Sequence, residues 1–263
     1  MDYFTWWLTI SVCLFLFNCS YADDTSENKY TKKAGTGRCK NRPQKCRSTF
    51  GQQTPKCEKR AMIACLKDRA VFESLDSRLV LCDTKSDGGG WILIQRNMIG
   101  DVTFNKTWEE FRDGFGSLDG DFWLGNDMIS KLTAEGYTDL RIDMKWKGQN
   151  KYFTYKNFTV QGEADLYRMS YTAGSIRGST DDDHFRTSNG EQFTTFDHGP
   201  SYGCRPYGYT GWWWTDNGVN CGFTNLNGKR GSKGFVLGIY WYYYTGANDS
   251  LDSAEMKLRK PNP

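Results

Sequence analysis

The sequence predicts an α+β fold made mainly of short antiparallel strands and long loops. Aromatic residues make up 16% of the chain, glycine is abundant with 28 residues, and proline is scarce with six. Residues 140–146 alternate apolar and charged side chains, which is the pattern of a half-buried strand. Thr107-Trp108-Glu109-Glu110 is a capping box that opens a short helix. With 38% apolar and 25% charged residues the chain can bury a core, so wholesale disorder is excluded.

Two helices and several more strands are predicted around these features. The first helix begins after Thr107 and ends at Gly114, and Asn126 caps the second. In the second helix three apolar residues are spaced to face the core: Met128, Ile129 and Leu132. The further strands are predicted over residues 79–82, 91–95, 152–160, 166–171 and 235–240.

Between residues 172 and 233 the periodicity fades into glycine, asparagine, aspartate and tyrosine. A stretch of that length without regular elements is where binding surfaces are usually carried. We therefore expect the functional site in this part of the chain.

The amino terminus predicts secretion. Residues 6–17 form an apolar run that is too short to span a bilayer, and Ser20-Tyr21-Ala22 suits signal peptidase. We expect a signal peptide over residues 1–22, hence an extracellular protein with no membrane span. A retained anchor is the alternative, because the segment before the run contains no Lys or Arg. Three sequons fit the secretory route and predict glycosylation at Asn105, Asn157 and Asn248.

Residues 23–56 form a basic, cysteine-containing segment ahead of a globular domain at 57–263. Residues 23–60 hold eleven Lys or Arg against four Asp or Glu. We interpret the segment as a solvated tether stapled by disulfides, with binding to anionic glycans or membranes as the alternative. Without the signal peptide, seven of the nine cysteines remain. An odd number leaves one as a buried thiol or as an interchain bridge, and spacing alone does not assign the pairs.

The chain carries no recognisable catalytic motif. It has two histidines and lacks H-E-x-x-H, G-x-S-x-G, a P-loop and G-x-G-x-x-G. Carboxylates such as Asp181-Asp182-Asp183 could in principle form a glycosidase pair, but a solvated loop is the commoner case. A net charge of +3 is too small to indicate nucleic-acid binding. We therefore predict that the protein is not an enzyme.

Seven strings occur in an order that resembles one family. They are Val80-Leu81-Cys82-Asp83, Asp87-Gly88-Gly89-Gly90-Trp91, Gly114-Phe115-Gly116, Phe122-Trp123-Leu124-Gly125-Asn126, Trp213-Trp214, Asn225-Leu226-Asn227-Gly228 and Ala254-Glu255-Met256-Lys257-Leu258-Arg259. Together they resemble the fibrinogen carboxy-terminal domain of ficolins, tachylectins, angiopoietins and the fibrinogen chains. The resemblance implies a twisted antiparallel sheet with a loop-rich, disulfide-clamped binding subdomain.

The resemblance also implies two disulfides. One joins Cys204 to Cys221, and the other joins an upstream cysteine to Cys82. Cys57 is nearer to the family spacing than Cys65 as the partner of Cys82. Three amino-terminal cysteines would remain, and they are the only visible means of forming a disulfide-linked homo-oligomer, since the sequence shows no collagen-like or coiled-coil stalk.

Lectins of this family bind Ca²⁺ through an Asp-x-Asp loop beside the ligand. Here Asp197 holds the first carboxylate position, but the second falls on Gly199. Because Ca²⁺ requires six to eight oxygen ligands, the metal site looks degraded. Asp216, Asn217 and Asn220 are an alternative source of oxygens, although a solvated turn is the commoner case.

The acetyl-group pocket of the family lectins uses a Cys-His pair and nearby aromatic rings. Here the pair reads Cys221-Gly222, so the histidine is missing. Five residues are the candidates for ligand binding: Tyr209, Trp214, Asn220, Gly222 and Phe223. Trp213 and Trp241 are predicted to pack in the core.

Two functional hypotheses follow from the resemblance. The first is a secreted lectin that binds glycans or acetylated groups on microbial surfaces in innate defence. The second is a protein ligand, like the angiopoietin or fibrinogen chains, that engages a receptor or a peptide.

Overall fold

The computed structural model of the protein describes residues 63–66, 69–73, 79–179, 183–200, 210–215 and 221–261. All of these residues belong to one compact unit, Cys57–Pro263. The predicted signal peptide (1–22) and basic segment (23–56) lie outside the described residues. Within the described ranges, no helix has both the length and the apolar character needed to cross a membrane.

The described strands form one ten-stranded antiparallel sheet and two small two-stranded sheets, which confirms the predicted α+β architecture. The main path runs β1-β2-β3-β4-β14-β7-β8-β11, while β6 pairs with both β4 and β5. The strands are β1 (Ile63–Leu66), β2 (Arg69–Glu73), β3 (Leu79–Asp83), β4 (Trp91–Asn97), β5 (Phe115–Gly116), β6 (Phe122–Trp123), β7 (Asp139–Trp146), β8 (Gln149–Tyr155), β9 (Thr159–Val160), β10 (Met169–Ser170), β11 (Arg177–Gly178), β12 (Thr224–Asn225), β13 (Tyr240–Trp241) and β14 (Ser253–Arg259). The helices are α1 (Trp108–Asp113), α2 (Asn126–Ala134) and α3 (Tyr242–Thr245).

The centre of the main sheet is the strand nearest the carboxyl terminus, β14, which the sequence analysis did not predict. It lies between β4 and β7 and pairs with both. Met256 and Leu258 on one face are fully buried. The alternation of apolar and charged residues over 254–259 was the available signal for this strand.

The other face of β14 carries a buried cluster of charges. The Lys257 Nζ lies 2.7 Å from an Asp83 oxygen, 2.8 Å from Asp143 and 3.1 Å from Glu255. Arg141 adds an ion pair to Asp143 at 2.7 Å. Burial alone would raise the pKa of Asp83, but hydrogen bonds from Lys257, Ser86 and Lys85 hold it well below its ordinary value. The cluster therefore joins β3, β7 and β14 through ion pairs that share the Lys257 ammonium group.

The first helix forms as its sequence predicts. Thr107 Oγ1 accepts a hydrogen bond from the backbone N–H of Glu110, and the Glu110 side chain accepts one from the backbone N–H of Thr107, which confirms the capping box. The helix ends at Gly114, whose φ is +90°.

The second helix differs from the prediction at its first turn. The residue preceding the helix is Gly125, and Asn126 is the first helical residue rather than its cap. The Asn126 Oδ1 instead accepts a hydrogen bond from the Trp123 indole at 3.0 Å. A Cβ at position 125 would lie 2.9 Å from the Arg112 carbonyl oxygen, so only glycine fits between the two helices.

Left-handed residues interrupt three of the predicted strands. Residues 152–160 divide into β8 and β9 because Asn157 has a φ of +56°. In 166–171 only Met169–Ser170 is a strand, since Leu166 and Tyr167 both have a φ of +49°. In 235–240 only Tyr240 is extended into a strand, because Val236 has a φ of +51°. Propensity patterns do not reveal such conformations in non-glycine residues.

Buried amide side chains join the sheet to the loops that follow. Gln95 and Asn97 project from β4 and donate hydrogen bonds to the Leu226 carbonyl at 2.9 and 3.1 Å. Asn97 also donates to the Gly228 carbonyl at 2.9 Å, and Asn227 donates to the Gly211 carbonyl at 2.9 Å. We call this set the amide clamp. Its side-chain amides donate hydrogen bonds to loop carbonyl groups that would otherwise need a partner strand.

Cys82 is buried and carries a free thiol in this structure. Its expected disulfide with Cys57 stays a prediction. Ala70 in β2 lies opposite both Cys65 in β1 and Cys82 in β3. Cys65 and Cys82 are therefore two strands apart, roughly 9–10 Å, whereas a disulfide needs Cα atoms closer than about 7 Å. The other expected partner, Cys57, lies outside the described residues.

Replacing Lys257 by methionine should lower the free energy of unfolding by about 3–5 kcal/mol, because three partly buried carboxylates lose their shared cation. Urea unfolding followed by circular dichroism measures this change. Lys145→Met on the exposed side of β7 is the matched control and should change stability by less than about 0.5 kcal/mol. Equal effects of the two substitutions would contradict the role of the buried cluster.

Cys82 should resist alkylation in the folded protein, because burial raises the pKa of its thiol to about 12. Iodoacetamide at pH 8 without reductant should modify Cys82 only after unfolding in guanidinium, as read by peptide mass mapping. Modification that additionally requires a reductant would show that Cys82 is bridged.

Candidate functional site

Four rings form an aromatic patch, and two of them, His184 and Phe223, belong to the stretch where the sequence predicts the binding surface. We define the aromatic patch as His184, Phe223, Tyr242 and Tyr243. The imidazole of His184 lies 5.7 Å from the Phe223 ring, 6.2 Å from Tyr242 and 5.8 Å from Tyr243, between ring centroids. Tyr242 also contacts Phe223 at 5.4 Å. The tyrosine side chains are 48% and 55% exposed, so both offer surface to a partner.

Three chain segments meet to build the patch. His184 begins a short 3₁₀ helix, His184–Ser188, and is itself buried. The Thr187 hydroxyl of that helix accepts a hydrogen bond from the Phe223 N–H at 3.0 Å. The Phe223 carbonyl accepts one from the Tyr242 N–H at 2.9 Å. These two bonds hold the three segments in register.

Hydrogen bonds to Asp183, the residue before the 3₁₀ helix, connect this helix to the main sheet. The Asp183 carboxylate accepts hydrogen bonds from the hydroxyls of Tyr155 at 3.2 Å and Tyr171 at 2.7 Å. Burial is the main cause that raises the pKa of both tyrosines, and the neighbouring Asp183 charge raises it further. Both hydroxyls therefore remain protonated donors, and the base of the patch is rigid at physiological pH.

The patch has a cationic border. The guanidinium of the exposed Arg186 lies 5.1 Å from the Phe223 ring centroid, a cation–π contact. Its Nη1 donates to the Asp183 carbonyl at 2.7 Å, which fixes its direction. An apolar floor with exposed hydroxyls and one cation at the edge suits a ligand with both apolar and polar groups.

The predicted ligand residues have different locations. Phe223 is in the patch, and Gly222 lies beside it with its carbonyl accepting a hydrogen bond from the Tyr240 hydroxyl at 3.1 Å. Trp214 is only 2% exposed and donates its indole N–H to the Thr210 carbonyl, so its assignment as a ligand-stacking ring is wrong. Tyr209 and Asn220 lie outside the described residues. The prediction that Trp213 and Trp241 pack in the core is confirmed, since both are fully buried.

Gly222 occupies the position where the family lectins carry histidine. Its φ is +106°, and a Cβ there would lie 3.1 Å from the Thr187 hydroxyl oxygen. A side chain at position 222 is therefore strained in this backbone, and Thr187 takes the adjacent space.

Asp197, the predicted calcium ligand, has structural partners. Its Oδ1 accepts hydrogen bonds from the Trp108 N–H at 3.1 Å and from the Thr195 hydroxyl at 2.7 Å. The carboxylate thus faces the amino-terminal end of α1, where a negative charge is favourable.

The described residues do not fit a Ca²⁺ site around Asp197. A Cβ at Gly199, where the family has its second carboxylate, would lie 2.8 Å from the Phe193 carbonyl oxygen. No group of three or more His, Cys, Asp or Glu side chains is placed to hold a metal anywhere in the described ranges. Asp216, Asn217 and Asn220 lie outside those ranges, so calcium binding through them stays a prediction.

Cys221 is disulfide-bonded, and its partner lies outside the described residues, so the pairing with Cys204 stays a prediction. The three sequon asparagines are all exposed: Asn105, Asn157 and Asn248. Their glycosylation also stays a prediction.

Sequence reasoning missed His184 and Arg186 as members of this site. No spacing in the sequence links residue 184 to residue 223. The run of three tyrosines at 242–244 is the one available signal for Tyr242 and Tyr243.

A mostly antiparallel sheet with few helices and long ordered loops defines this fold as a fibrinogen-like globe. The profile described as fibrinogen beta and gamma chains, C-terminal globular domain, matches residues 51–262, and the chain belongs to that family.

Similar proteins agree with this assignment. Human tenascin-R is 37% identical over 185 residues, which cover 70% of this chain and 13% of tenascin-R, so the chain spans a small part of that relative. The fibrinogen-like globe domain of human ANGPTL6 superposes on this chain with a TM-score of 0.65 and 29% sequence identity. The superposition covers 79% of this chain and 92% of the ANGPTL6 domain. Lamprey fibrin D-dimer, complexed with the peptide Gly-His-Arg-Pro-amide, has a TM-score of 0.63 at 28% identity, covering 75% of this chain and 71% of its own.

Replacing Asp197 by alanine should lower the free energy of unfolding by about 0.5–2 kcal/mol, because the first N–H of α1 and the Thr195 hydroxyl lose their acceptor. The loss should be the same in Ca²⁺ and in EDTA when measured by urea unfolding. Asp119→Ala, on an exposed turn, is the control. A loss confined to Ca²⁺-containing buffer would show that Asp197 is a metal ligand.

Proposed function

We propose that the protein is a secreted, non-enzymatic ligand that binds a peptide segment of a partner protein through the aromatic patch. The observation that carries the proposal is the convergence of Phe223, Tyr242 and Tyr243 on His184. Tyrosine and phenylalanine rings supply large contact area at low entropic cost, and tyrosine is enriched at the centres of protein interfaces.

The chemistry of the patch favours a peptide. The exposed hydroxyls of Tyr242 and Tyr243 can bond to peptide amides, while the ring faces stack on proline or aromatic side chains. Arg186 at the border adds a donor for a carboxylate or a carbonyl. Lamprey fibrin, a relative with the same fold, is complexed with a short peptide, which supports this class of ligand.

The non-enzymatic and secreted parts of the proposal are supported mainly by the sequence. It contains no recognised catalytic motif, and it combines a predicted signal peptide with an odd number of cysteines beyond it. The odd cysteine also supports a disulfide-linked homo-oligomer, in which several weak sites would act together.

The lectin hypothesis has less support in this structure. Trp214 is buried, and the family's acetyl-pocket histidine is replaced by Gly222, where a side chain would be strained by the φ of +106° and would lie close to the Thr187 hydroxyl. Glycan binding therefore serves as the competing outcome of the test.

Peptide-display selection on the secreted, oxidised protein should yield peptides that bind the aromatic patch. The double substitution Tyr242→Ala and Tyr243→Ala should weaken the selected peptides at least about tenfold, because two exposed rings supply much of the contact. Surface plasmon resonance with synthetic peptides measures the change.

Tyr152→Ala is the matched control, because Tyr152 is also exposed and lies on β8 outside the patch. It should leave peptide affinity unchanged. A glycan array is run beside the selection. Sugar binding that the double substitution abolishes, with no peptide selected, would replace the proposal with the lectin hypothesis.

A further inference from the structure

A cavity of about 540 Å³ opens between residues 97–105 and residues 227–237 and shares no residue with the aromatic patch. Its volume lies within the roughly 300–1,000 Å³ of small-molecule sites. The peptide proposal makes no use of this cavity.

The first wall of the cavity is held by a buried carboxylate. Asp121 accepts hydrogen bonds from the backbone N–H groups of Met98 at 2.7 Å, Ile99 at 3.0 Å and Gly100 at 2.6 Å. Three such bonds fix the turn that leads into the lining residues 102–105, so this wall is formed before any ligand arrives.

The second wall is the loop of residues 227–237, which is held by hydrogen bonds within its own backbone. The Lys229 N–H donates to the Leu237 carbonyl at 2.8 Å, and the Ser232 N–H donates to the Lys229 carbonyl at 3.1 Å. The Arg230 Nε donates to the Asp252 carbonyl at 2.7 Å, which fastens this loop to the segment before β14. The amide clamp ties the start of this loop to β4 through the Gly228 carbonyl.

The lining is cationic and polar. Lys229 and Arg230 are exposed at the cavity, and none of the described residues that line it is acidic. The nearest carboxylate in sequence, Asp101, accepts the Asp121 N–H at 3.0 Å and is not part of the lining. Hydroxyl and amide groups of Thr103, Asn105 and Ser232 supply neutral donors and acceptors.

We propose that this cavity binds an acidic sugar residue, one that carries a carboxylate or a sulfate. Lys229 and Arg230 pair with the anionic group, because a focused positive charge in a concave site favours an anion. Thr103, Asn105 and Ser232 bond to the hydroxyls, and Leu237 covers the apolar side of the ring. This ligand class follows from the lining alone and does not depend on the peptide proposal.

Asn105 connects this site to the predicted glycosylation. The residue is exposed and lines the cavity, so a glycan attached to it stands at the entrance. The test therefore uses the secreted protein both untreated and after endoglycosidase trimming.

Isothermal titration calorimetry with glucuronate, glucose 6-sulfate, glucose and inorganic sulfate tests the proposal. We expect both acidic sugars to bind more tightly than glucose and than sulfate alone in at least one form of the protein. Lys229→Gln with Arg230→Gln should weaken the acidic sugars by about tenfold or more. Lys145→Gln with Lys260→Gln, at two exposed lysines outside the cavity, should have no effect.

A matched pair of substitutions controls for misfolding. Leu237→Gln removes the apolar cover and should weaken binding of the acidic sugars only modestly, whereas Leu237→Glu, of the same size, should weaken it much further by charge repulsion. The double substitution Tyr242→Ala and Tyr243→Ala should leave acidic-sugar binding intact. A failure of the peptide proposal can therefore be distinguished from a failure of the acidic-sugar proposal.

Equal affinity for glucose and glucuronate, or no binding in either form of the protein, overturns the proposal. Unchanged binding by the Lys229 and Arg230 variant overturns it as well.

Discussion

The amide clamp is the interaction on which the arrangement of the loops depends. Gln95 and Asn97 extend from the ordered strand β4 into a region without regular pairing and bind the carbonyls of Leu226 and Gly228. An unsatisfied buried carbonyl costs about 1–3 kcal/mol, so a loop whose carbonyls are met by fixed amides has a strong preference for one position. From this point the chain leads back to Phe223 in the aromatic patch and forward to Lys229 at the cavity.

Aromatic packing is the second interaction that holds the loops against the sheet. Trp123, Phe193 and Trp213 contact one another with ring centroids 5.2–5.9 Å apart, and all three are buried. The three residues come from distant parts of the chain, so their contacts hold the irregular segments against the sheet with little regular hydrogen bonding. Such dense packing explains how long loops form a rigid surface.

The two candidate sites differ in the way a partner would be held. The aromatic patch presents ring faces and hydroxyls around His184, with one cation at its border, and suits a broad contact with a peptide. The cavity is concave and carries two cations among amides and hydroxyls, which suits an acidic sugar residue. Both sites have backbone hydrogen bonds that hold their walls, so neither requires a large rearrangement to bind.

The sequence by itself determined the family, the α+β class, the capping box at Thr107 and the half-buried strand over residues 140–146. These features depend on residues that are neighbours along the chain, where periodicity and local hydrogen bonding act directly. Only the tertiary structure decided that β14 is the central strand, that Trp214 is buried, and that Asp197 accepts a hydrogen bond from the first N–H of α1. Asp197 and Trp108 are 89 positions apart, and Thr187 and Phe223, whose hydrogen bond helps to build the patch, are 36 positions apart. No local pattern encodes which distant side chain completes a site. The separation of Cys82 from Cys65 has the same origin, since the register of three strands sets it.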